Sequence, residues 1–440
     1  MKKCALHNLG CKVNSYETQA MQQIMENAGF LIVPFGQEKA DVYIINTCSV
    51  TNIADRKSRQ MIHKARKMNP EAVIVAAGCY VESAGKGTDE DIDIVIGNNE
   101  KSRLAEILTS YFEEIKHEKP EDIGKISDFD EMKIQRPSEH TRAYVKIQDG
   151  CNRFCSYCVI PYVRGRIRSR STENILEEME RLAESGCKEV VLTGIHLSSF
   201  GLDKSEEGAD TLIDIIEKVN DIHGIERIRL GSLEPLIVTE DFVKRLVKCE
   251  KVCPHFHLSL QSGCDETLKR MNRRYTSEEF LKGVNLLRKY YEKPAITTDV
   301  IVGFPGETEE EFCKTKEFLE KVCFYELHVF KYSRRKGTVA DKMPDQIDEN
   351  IKSERSNVLI ELDERLSKKF REAYIGKCVR ILTEEVITID NQKYITGFTD
   401  TYVRAAIPVQ DDKEIPSNTL IDIKVTGLFG KEMVIGVAEN

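Results

Sequence analysis

The sequence predicts an α/β chain in three parts: an N-terminal doubly wound parallel sheet, a central partial (β/α)6 barrel and a small C-terminal antiparallel β-barrel. Three observations predict it. Strand-like apolar runs alternate with helical patterns over residues 1–110, and a second such series begins at Arg142. From about Tyr374 the pattern changes to short alternating stretches broken by Gly, Asp and Asn. Strands separated by helices build parallel sheets, whereas closely spaced alternating strands build antiparallel sheets or barrels.

In the first series, residues 3–9 read as a strand. Asn14 and Glu17 read as a capping box opening a helix over 15–28, closed by Gly29. Strands at 41–46, 72–77 and 93–96 follow, with a helix over 54–68. Residues 111–137 are charged and aperiodic, a linker. The second series offers strands at 143–148, 189–193, 227–230, 255–260, 296–302 and 326–330, whose ends point at a common mouth. A charged helical pattern at 348–373 reads as a connector. The stretches CVRILTEEV, KYITGFT, YVRAAIPV, TLIDIKVTGLFG and EMVIGVAE complete the chain as barrel strands. The implied divisions are 1–110, 111–137, 138–345, 346–373 and 374–440.

Composition bounds the function. The chain has 440 residues, 41% of them hydrophobic and 31% charged, enough for two or three cores. Fourteen cysteines are too dilute for a disulfide scaffold, and the opening MKKCALHNLG lacks the apolar core of a secretory signal, so a cytoplasmic protein is expected. No run reaches membrane-spanning length. The net charge of -9 argues against a polyanion partner on bulk grounds, yet basic residues cluster locally. Arg164, Arg166, Arg168 and Arg170 alternate, a spacing that in an extended segment turns all four to one side. With Arg335, from the KYSRRK cluster, they are the expected RNA contacts.

The chemistry lies in cysteine spacing. Cys151, Cys155 and Cys158 form C-x3-C-x2-C in DGCNRFCSYCVIP. Three thiolates on one short loop hold three irons of a 4Fe–4S cubane and leave the fourth iron open. An open iron can be chelated by S-adenosylmethionine and pass an electron to its sulfonium, releasing a 5′-deoxyadenosyl radical. Structural zinc loops instead pair C-x2-C units and close with four ligands, and no partner pair lies nearby. Cys11, Cys48 and Cys79 each follow one of the first three principal strands, in NLGCKVN, INTCSVT and AAGCYVE. Ligands of parallel sheets collect at the carboxyl ends of strands, so these thiols are expected together as a second three-thiolate site. Any one alone would read as a buried hydrophobe. That is the expectation for Cys4, Cys187, Cys249, Cys253, Cys264, Cys313, Cys323 and Cys378. The histidines show no metal spacing, and His255 and His257 are expected on opposite faces of one strand.

Polar and glycine-rich strand ends supply the expected cofactor contacts: Tyr157 in the cysteine loop, Thr193 and Gly194, Ser232 and Glu234 in GSLEP, Gln261 and Ser262 in LQSG, Val302 and Gly303 in IVGFPGE, and Phe330. Gly306 and Glu307 close the same loop. Glu234 is the expected polar contact to S-adenosylmethionine or substrate.

Taken together, NLGCKVNSYET, INTCSVTN, AGCYVE, the cysteine loop, HLSLQSGCDETLKRMNR, DVIVGFPGETEEEF and FKYSRRKGT resemble the radical-SAM methylthiotransferases nearly end to end. GCKVNSYET is similar to the branch acting on threonylcarbamoyladenosine in tRNA. The resemblance implies that Cys11, Cys48 and Cys79 hold an auxiliary 4Fe–4S cluster and Cys151, Cys155 and Cys158 the radical-SAM cluster. It implies two molecules of S-adenosylmethionine per turnover and a methylthio group placed on C2 of N6-threonylcarbamoyladenosine at tRNA position 37. Implied partners are a tRNA anticodon stem-loop, a reductant of flavodoxin or ferredoxin type and a sulfur donor of unspecified form, with the enzyme a monomer. The last segment resembles a TRAM domain, with Lys377, Arg380, Lys393 and Arg404 as phosphate contacts. Isopentenyladenosine in tRNA, a ribosomal-protein aspartate, or a non-catalytic RNA-binding redox sensor remain as alternatives.

Overall fold

The computed structural model describes residues 1–84, 89–115, 122–134, 141–205, 208–409 and 416–439. Part of the expected linker, and its boundary at 137/138, lies outside them. Five strands, β1 (Lys3–Asn8), β2 (Leu31–Ile32), β3 (Val42–Thr47), β4 (Val73–Gly78) and β5 (Ile94–Ile96), form a sheet of order β2-β1-β3-β4-β5. All its pairs are parallel. β3 is buried at every position, as a strand covered on both faces must be. The short edge strand β2 escapes the sequence pattern because two residues carry no period.

The first helix runs Lys12–Asn27, three residues earlier than expected, and Asn14 and Glu17 do not cap it. Both are buried and spent elsewhere: the Asn14 amide donates to the carbonyls of Leu9 and Thr47, and Glu17 pairs with three cations. A capping box and a buried polar pair look alike in sequence; burial decides between them.

The central barrel joins two sheets. The first has order β7-β6-β8-β9, with β6 (Arg142–Asp149), β7 (Arg168–Ser169), β8 (Glu189–Gly194) and β9 (Arg227–Leu230). The second has β10 (His255–His257), β11 (Ala295–Val302) and β12 (Glu326–Lys331) side by side. Isolated bridges, Ile228 to Val252 and Leu233 to Leu258, stitch the two together. β6, β8 to β12 are the six expected strands; β7 is an added antiparallel edge. Alternate residues Ala143, Val145, Ile147, Val190, Leu192, Ile228, Leu230, Phe256, Ile296, Val300 and Leu327 form one apolar cluster under the helices. Their neighbours in sequence therefore face the barrel lumen.

The connector helix Glu349–Glu372 leads to a closed barrel of β13 (Cys378–Ile389), β14 (Gln392–Thr399), β15 (Arg404–Pro408), β16 (Leu420–Phe429) and β17 (Met433–Ala438). Its pairing is antiparallel except between β15 and β17, which run parallel. This barrel docks at the amino ends of the central strands. Arg227 donates to the carbonyls of Phe398 and Arg380, and Arg229 to those of Asp400 and Thr399. No helix among the described residues is long and apolar enough to cross a membrane.

Candidate functional site

Cys11, Cys48 and Cys79 follow β1, β3 and β4, which are adjacent in the sheet. Gly10, at φ +110°, permits their approach: a Cβ there would stand 2.8 Å from Cys48 Cβ and 2.9 Å from its sulfur. Cys48 and Cys79 are buried and Cys11 is exposed. Burial pushes the Cys48 thiol up to about 11, and the neighbouring Cys79 and Cys11 add to the rise. Thiols crowded into an apolar corner become thiolates only when a positive charge joins them.

The second triplet sits on the loop after β6. Gly150, at φ +69°, turns the chain into it; a Cβ there would overlap the Arg166 carbonyl oxygen at 1.7 Å. The Arg153 N–H donates to the Cys151 sulfur at 3.4 Å, and the Arg273 guanidinium to the Cys155 sulfur at 3.2 Å. Burial pushes the Cys158 thiol up to about 12, with Cys155 and Cys151 contributing.

The two triplets meet. The short helix Ile160–Val163, next after Cys158, packs Val159 and Val163 against Cys79. Arg164 then donates from Nε to the Cys79 sulfur at 3.3 Å. Its other nitrogens reach Glu17 at 2.8 Å, Asp149 at 3.2 Å and Asn14 at 2.7 Å. Burial would raise the Glu17 carboxyl, but Arg164, Lys101 and Lys146 outweigh it and hold it well below the usual range. Within this buried network two carboxylates, Glu17 and Asp149, face four cations, Lys101, Lys146, Arg164 and Arg168. An uncompensated buried charge is costly. A cluster carrying three thiolates is anionic and supplies the missing balance, so the residues present fit such a group. They do not fit a single zinc ion. Tetrahedral thiolates on zinc lie about 3.8 Å apart. The donor groups that converge within 4.8 Å are His257 with Asp299 and His328, and His63 with Asp89 and Asp91; among the described residues neither cysteine triplet does so.

The expected contacts divide by placement. Glu234 is buried beside the cysteine loop, paired with Arg153, and lies 3.6 Å from His196. Burial favours its neutral form, but the neighbouring His196 and the charges of Arg153 and Arg273 keep its carboxyl below the ordinary value. Gln261 holds φ +69°, a strained state for a residue with a Cβ, at the end of the stretch following β10. Ser232 is exposed, and Phe330 is 44% exposed on the last barrel strand. Tyr157 packs edge-on against Phe304, while Thr193 and Gly194 end β8. Other positions are committed within the protein. The Ser262 hydroxyl bonds Thr315 and accepts from the Cys264 N–H. Val302 is in the core, and a Cβ on Gly303 would meet Lys352 of the connector helix at 2.3 Å. Glu307 pairs with Arg355 at 2.7 Å and accepts the Gly303 N–H.

The arginine stripe needs correction. Arg164, Arg168 and Arg170 are fully buried, and Arg170 is spent on Glu178 and Glu131. Arg335 is buried too, bonded to Asp55 and Ser49 at 2.7 Å each. Only Arg166 of the five is exposed, stacked over Phe154 next to the exposed Tyr162. The period-two expectation of one common side fails, because the segment is extended only at Arg168–Ser169: Arg164 ends the helix Ile160–Val163 and Gly165, at φ +71°, turns the chain, so Arg166 points to water while the other three are interior. In the last barrel Arg380 pairs with Asp422 and Arg404 with Glu385. Cys313, Cys323 and Cys378 are exposed, contrary to expectation.

Sequence spacing missed the lumen. Positions two apart on a strand share a face, so His255 and His257 point the same way, correcting the opposite-face expectation. His257 Nε2 lies 3.4 Å from Asp299, and its ring stacks on His328 at 5.5 Å. The three come from β10, β11 and β12; sequence separation hid them, and only the strand registers unite them. With Arg142, Lys146, Glu189, Arg227 and Arg229 they make the lumen a polar chamber, unlike the aliphatic filling of a closed barrel core.

Comparisons agree with this geometry. Residues 145–319 match the Radical SAM superfamily and residues 3–97 match the Uncharacterized protein family UPF0004. The chain is 39% identical over 419 residues to a Bacillus subtilis threonylcarbamoyladenosine tRNA methylthiotransferase MtaB, covering 94% of this chain and 92% of the relative. An Aquifex aeolicus protein of the same name is 41% identical over 400 residues, covering 89% and 95%. An Acetivibrio thermocellus tRNA-2-methylthio-N(6)-dimethylallyladenosine synthase is 36% identical over 410 residues, covering 90% and 84%. Among solved structures, the radical S-adenosylmethionine methyltransferase TsrM of Kitasatospora setae shares the fold with TM-score 0.58 at 15% identity, over 77% of each chain. With two cysteine triplets bridged by Arg164 and matches along nearly its whole length, the chain belongs to the radical-SAM methylthiotransferases, enzymes that work with two 4Fe–4S clusters and S-adenosylmethionine.

Proposed function

We propose that this enzyme methylthiolates C2 of N6-threonylcarbamoyladenosine at position 37 of tRNA. The observation that carries the reading is the packing of Val159, Val163 and Arg164, which directly follow Cys158, against Cys79, which brings the two cysteine sites next to each other. The choice of nucleoside follows the names of the Bacillus and Aquifex relatives.

Cys11, Cys48 and Cys79 hold the auxiliary cluster and Cys151, Cys155 and Cys158 the radical-SAM cluster. When bound, these groups and S-adenosylmethionine supply the transferable methylthio sulfur and a 5′-deoxyadenosyl radical that abstracts hydrogen from C2. The chain's own residues do the rest. Arg273 and Arg153 bond the loop sulfurs and fix their orientation. Glu234, Gln261 and Ser232 receive the polar groups of S-adenosylmethionine at the mouth. Burial of Cys48, Cys79, Cys151 and Cys155 limits the access of water to the reacting atoms. Arg166, Phe154 and Tyr162 form an exposed cationic and aromatic patch on the rim, suited to a phosphate and an unstacked base of the anticodon loop. A flavodoxin or ferredoxin supplies electrons to a cytoplasmic monomer. The divisions at 110, 137, 345 and 373 separate the auxiliary, linking, radical, connecting and RNA-contacting parts.

Mass spectrometry of nucleosides from cells with and without the gene tests the reading. Disappearance of 2-methylthio-N6-threonylcarbamoyladenosine, with accumulation of its unmethylthiolated precursor, is expected. Persistence of the 2-methylthio nucleoside in the deletion strain overturns it.

A further inference from the structure

Lys12 stands between the auxiliary site and the lumen. It follows Cys11 directly and begins the first helix. That helix meets the lumen side of β6, where Glu17 bonds Lys146 at 2.8 Å. Lys12 is exposed to solvent, and the charges acting on it are Arg229, Arg142, Asp299 and Cys11. The first three are lumen residues of β9, β6 and β11, so its ammonium is held over the chamber and not on the outer surface.

The other cations of the lumen have partners. Glu189 serves Arg142 at 2.6 Å, Arg229 at 2.8 Å and Arg227 at 3.8 Å. Lys146 pairs with Glu17 and Asp149. Asp299 has His257 at 3.4 Å. Among the described residues Lys12 has no ion-pair or hydrogen-bond partner, and the exposed His328 ring borders the same space. The chamber carries more cations than carboxylates, and an ammonium without an acidic partner of its own is a receptor for one anion. Asp299, with 30% of its side chain exposed, adds an acceptor for a hydroxyl or N–H beside that anion.

We propose that Lys12, with His328 and Asp299 at its side, forms the subsite for the carboxylate of the N6-threonylcarbamoyl group, and so sets the choice of nucleoside. The inference rests on the function proposed above and names the residue that enforces it. Threonylcarbamoyl carries one carboxylate, one hydroxyl and N–H donors. An isopentenyl group carries none of these and leaves Lys12 unpaired. Sites built around a polar group reject analogues lacking it far more strongly than apolar pockets reject an extra group.

The test uses the full-length reconstituted protein and two synthetic anticodon stem-loops, one with N6-threonylcarbamoyladenosine and one with its methyl ester. The wild type is expected to bind the acid about 10- to 100-fold more tightly than the ester, the range of a charge-assisted hydrogen bond. Lys12→Gln is expected to bind both alike, with iron content unchanged, and Lys12→Arg to restore most of the preference. A Lys12→Gln variant that keeps the acid-to-ester ratio overturns the inference, as does one that loses acid and ester affinity equally. Because the readout is binding, its failure is distinct from absence of the 2-methylthio product, which defeats the parent reading.

Discussion

Arg164 donates to the Cys79 sulfur, Glu17, Asp149 and Asn14 at once, so one side chain from the radical-SAM part fixes the auxiliary part. Hydrogen bonds to cluster sulfurs favour the reduced, more negative state and raise the potential. Arg164→Lys keeps the charge but loses the planar fork. The cluster proposed at Cys11, Cys48 and Cys79 is expected in this variant to show a lowered midpoint potential, with that of the cluster proposed on the 151–158 loop unchanged. A redox titration followed by electron paramagnetic resonance reads both; equal shifts count against the assignment. The sequence announced Arg164 only as a basic residue near cysteines. Its partners lie up to 150 positions away, beyond any local pattern.

At the scale of elements, the amino ends of β6, β8 and β9 converge on Glu189. Burial favours its neutral form, yet Arg229, Arg142 and Arg227 hold its carboxyl down at about 2. The same arginines carry the last barrel on their remaining N–H groups. Because the folded value lies below the unfolded 4.5, the stabilisation is present above about pH 4.5 and is lost as the pH falls toward 2. It amounts to roughly 3 kcal/mol at neutral pH. Glu189→Gln is expected to lower stability by about that amount and to flatten the acid limb below pH 4.5. Urea midpoints measured across pH decide it; an unchanged acid limb counts against the role. The strand pattern located β8 to within a residue. It gave no sign that a leading Glu would anchor another barrel, because docking surfaces have no period of their own.

Across the whole molecule, the N-terminal sheet and the central barrel are locked at several places. Arg164 closes one; Arg335 closes another through Asp55, Asn52 and Ser49, aided by the Asn52 N–H bond to Ser333 at 3.1 Å. Arg335→Ala is expected to cost about 3 kcal/mol, the scale of breaking a buried pair. Its tRNA affinity at fixed salt is expected to equal that of the wild type, since the guanidinium never meets solvent. Calorimetric melting and a tRNA binding isotherm separate the two; a large affinity loss without destabilisation returns Arg335 to the RNA surface. With the net charge at -9 and four of the five expected RNA arginines buried, Arg166 is the one of the five left exposed to serve the proposed tRNA contact.

The sequence by itself determined the strand and helix order, the two cysteine triplets and the six-strand series, because periodicity, spacing and strand-end placement are local signals that survive without coordinates. Tertiary structure decided which polar residues are interior. Glu17 became the centre of a buried ionic network instead of a cap, three alternating arginines turned inward, and Lys12, His257, Asp299 and His328 met in one chamber. The physical reason is that a charge's worth depends on its partners and its distance from water, and both are set by contacts between segments far apart in the chain.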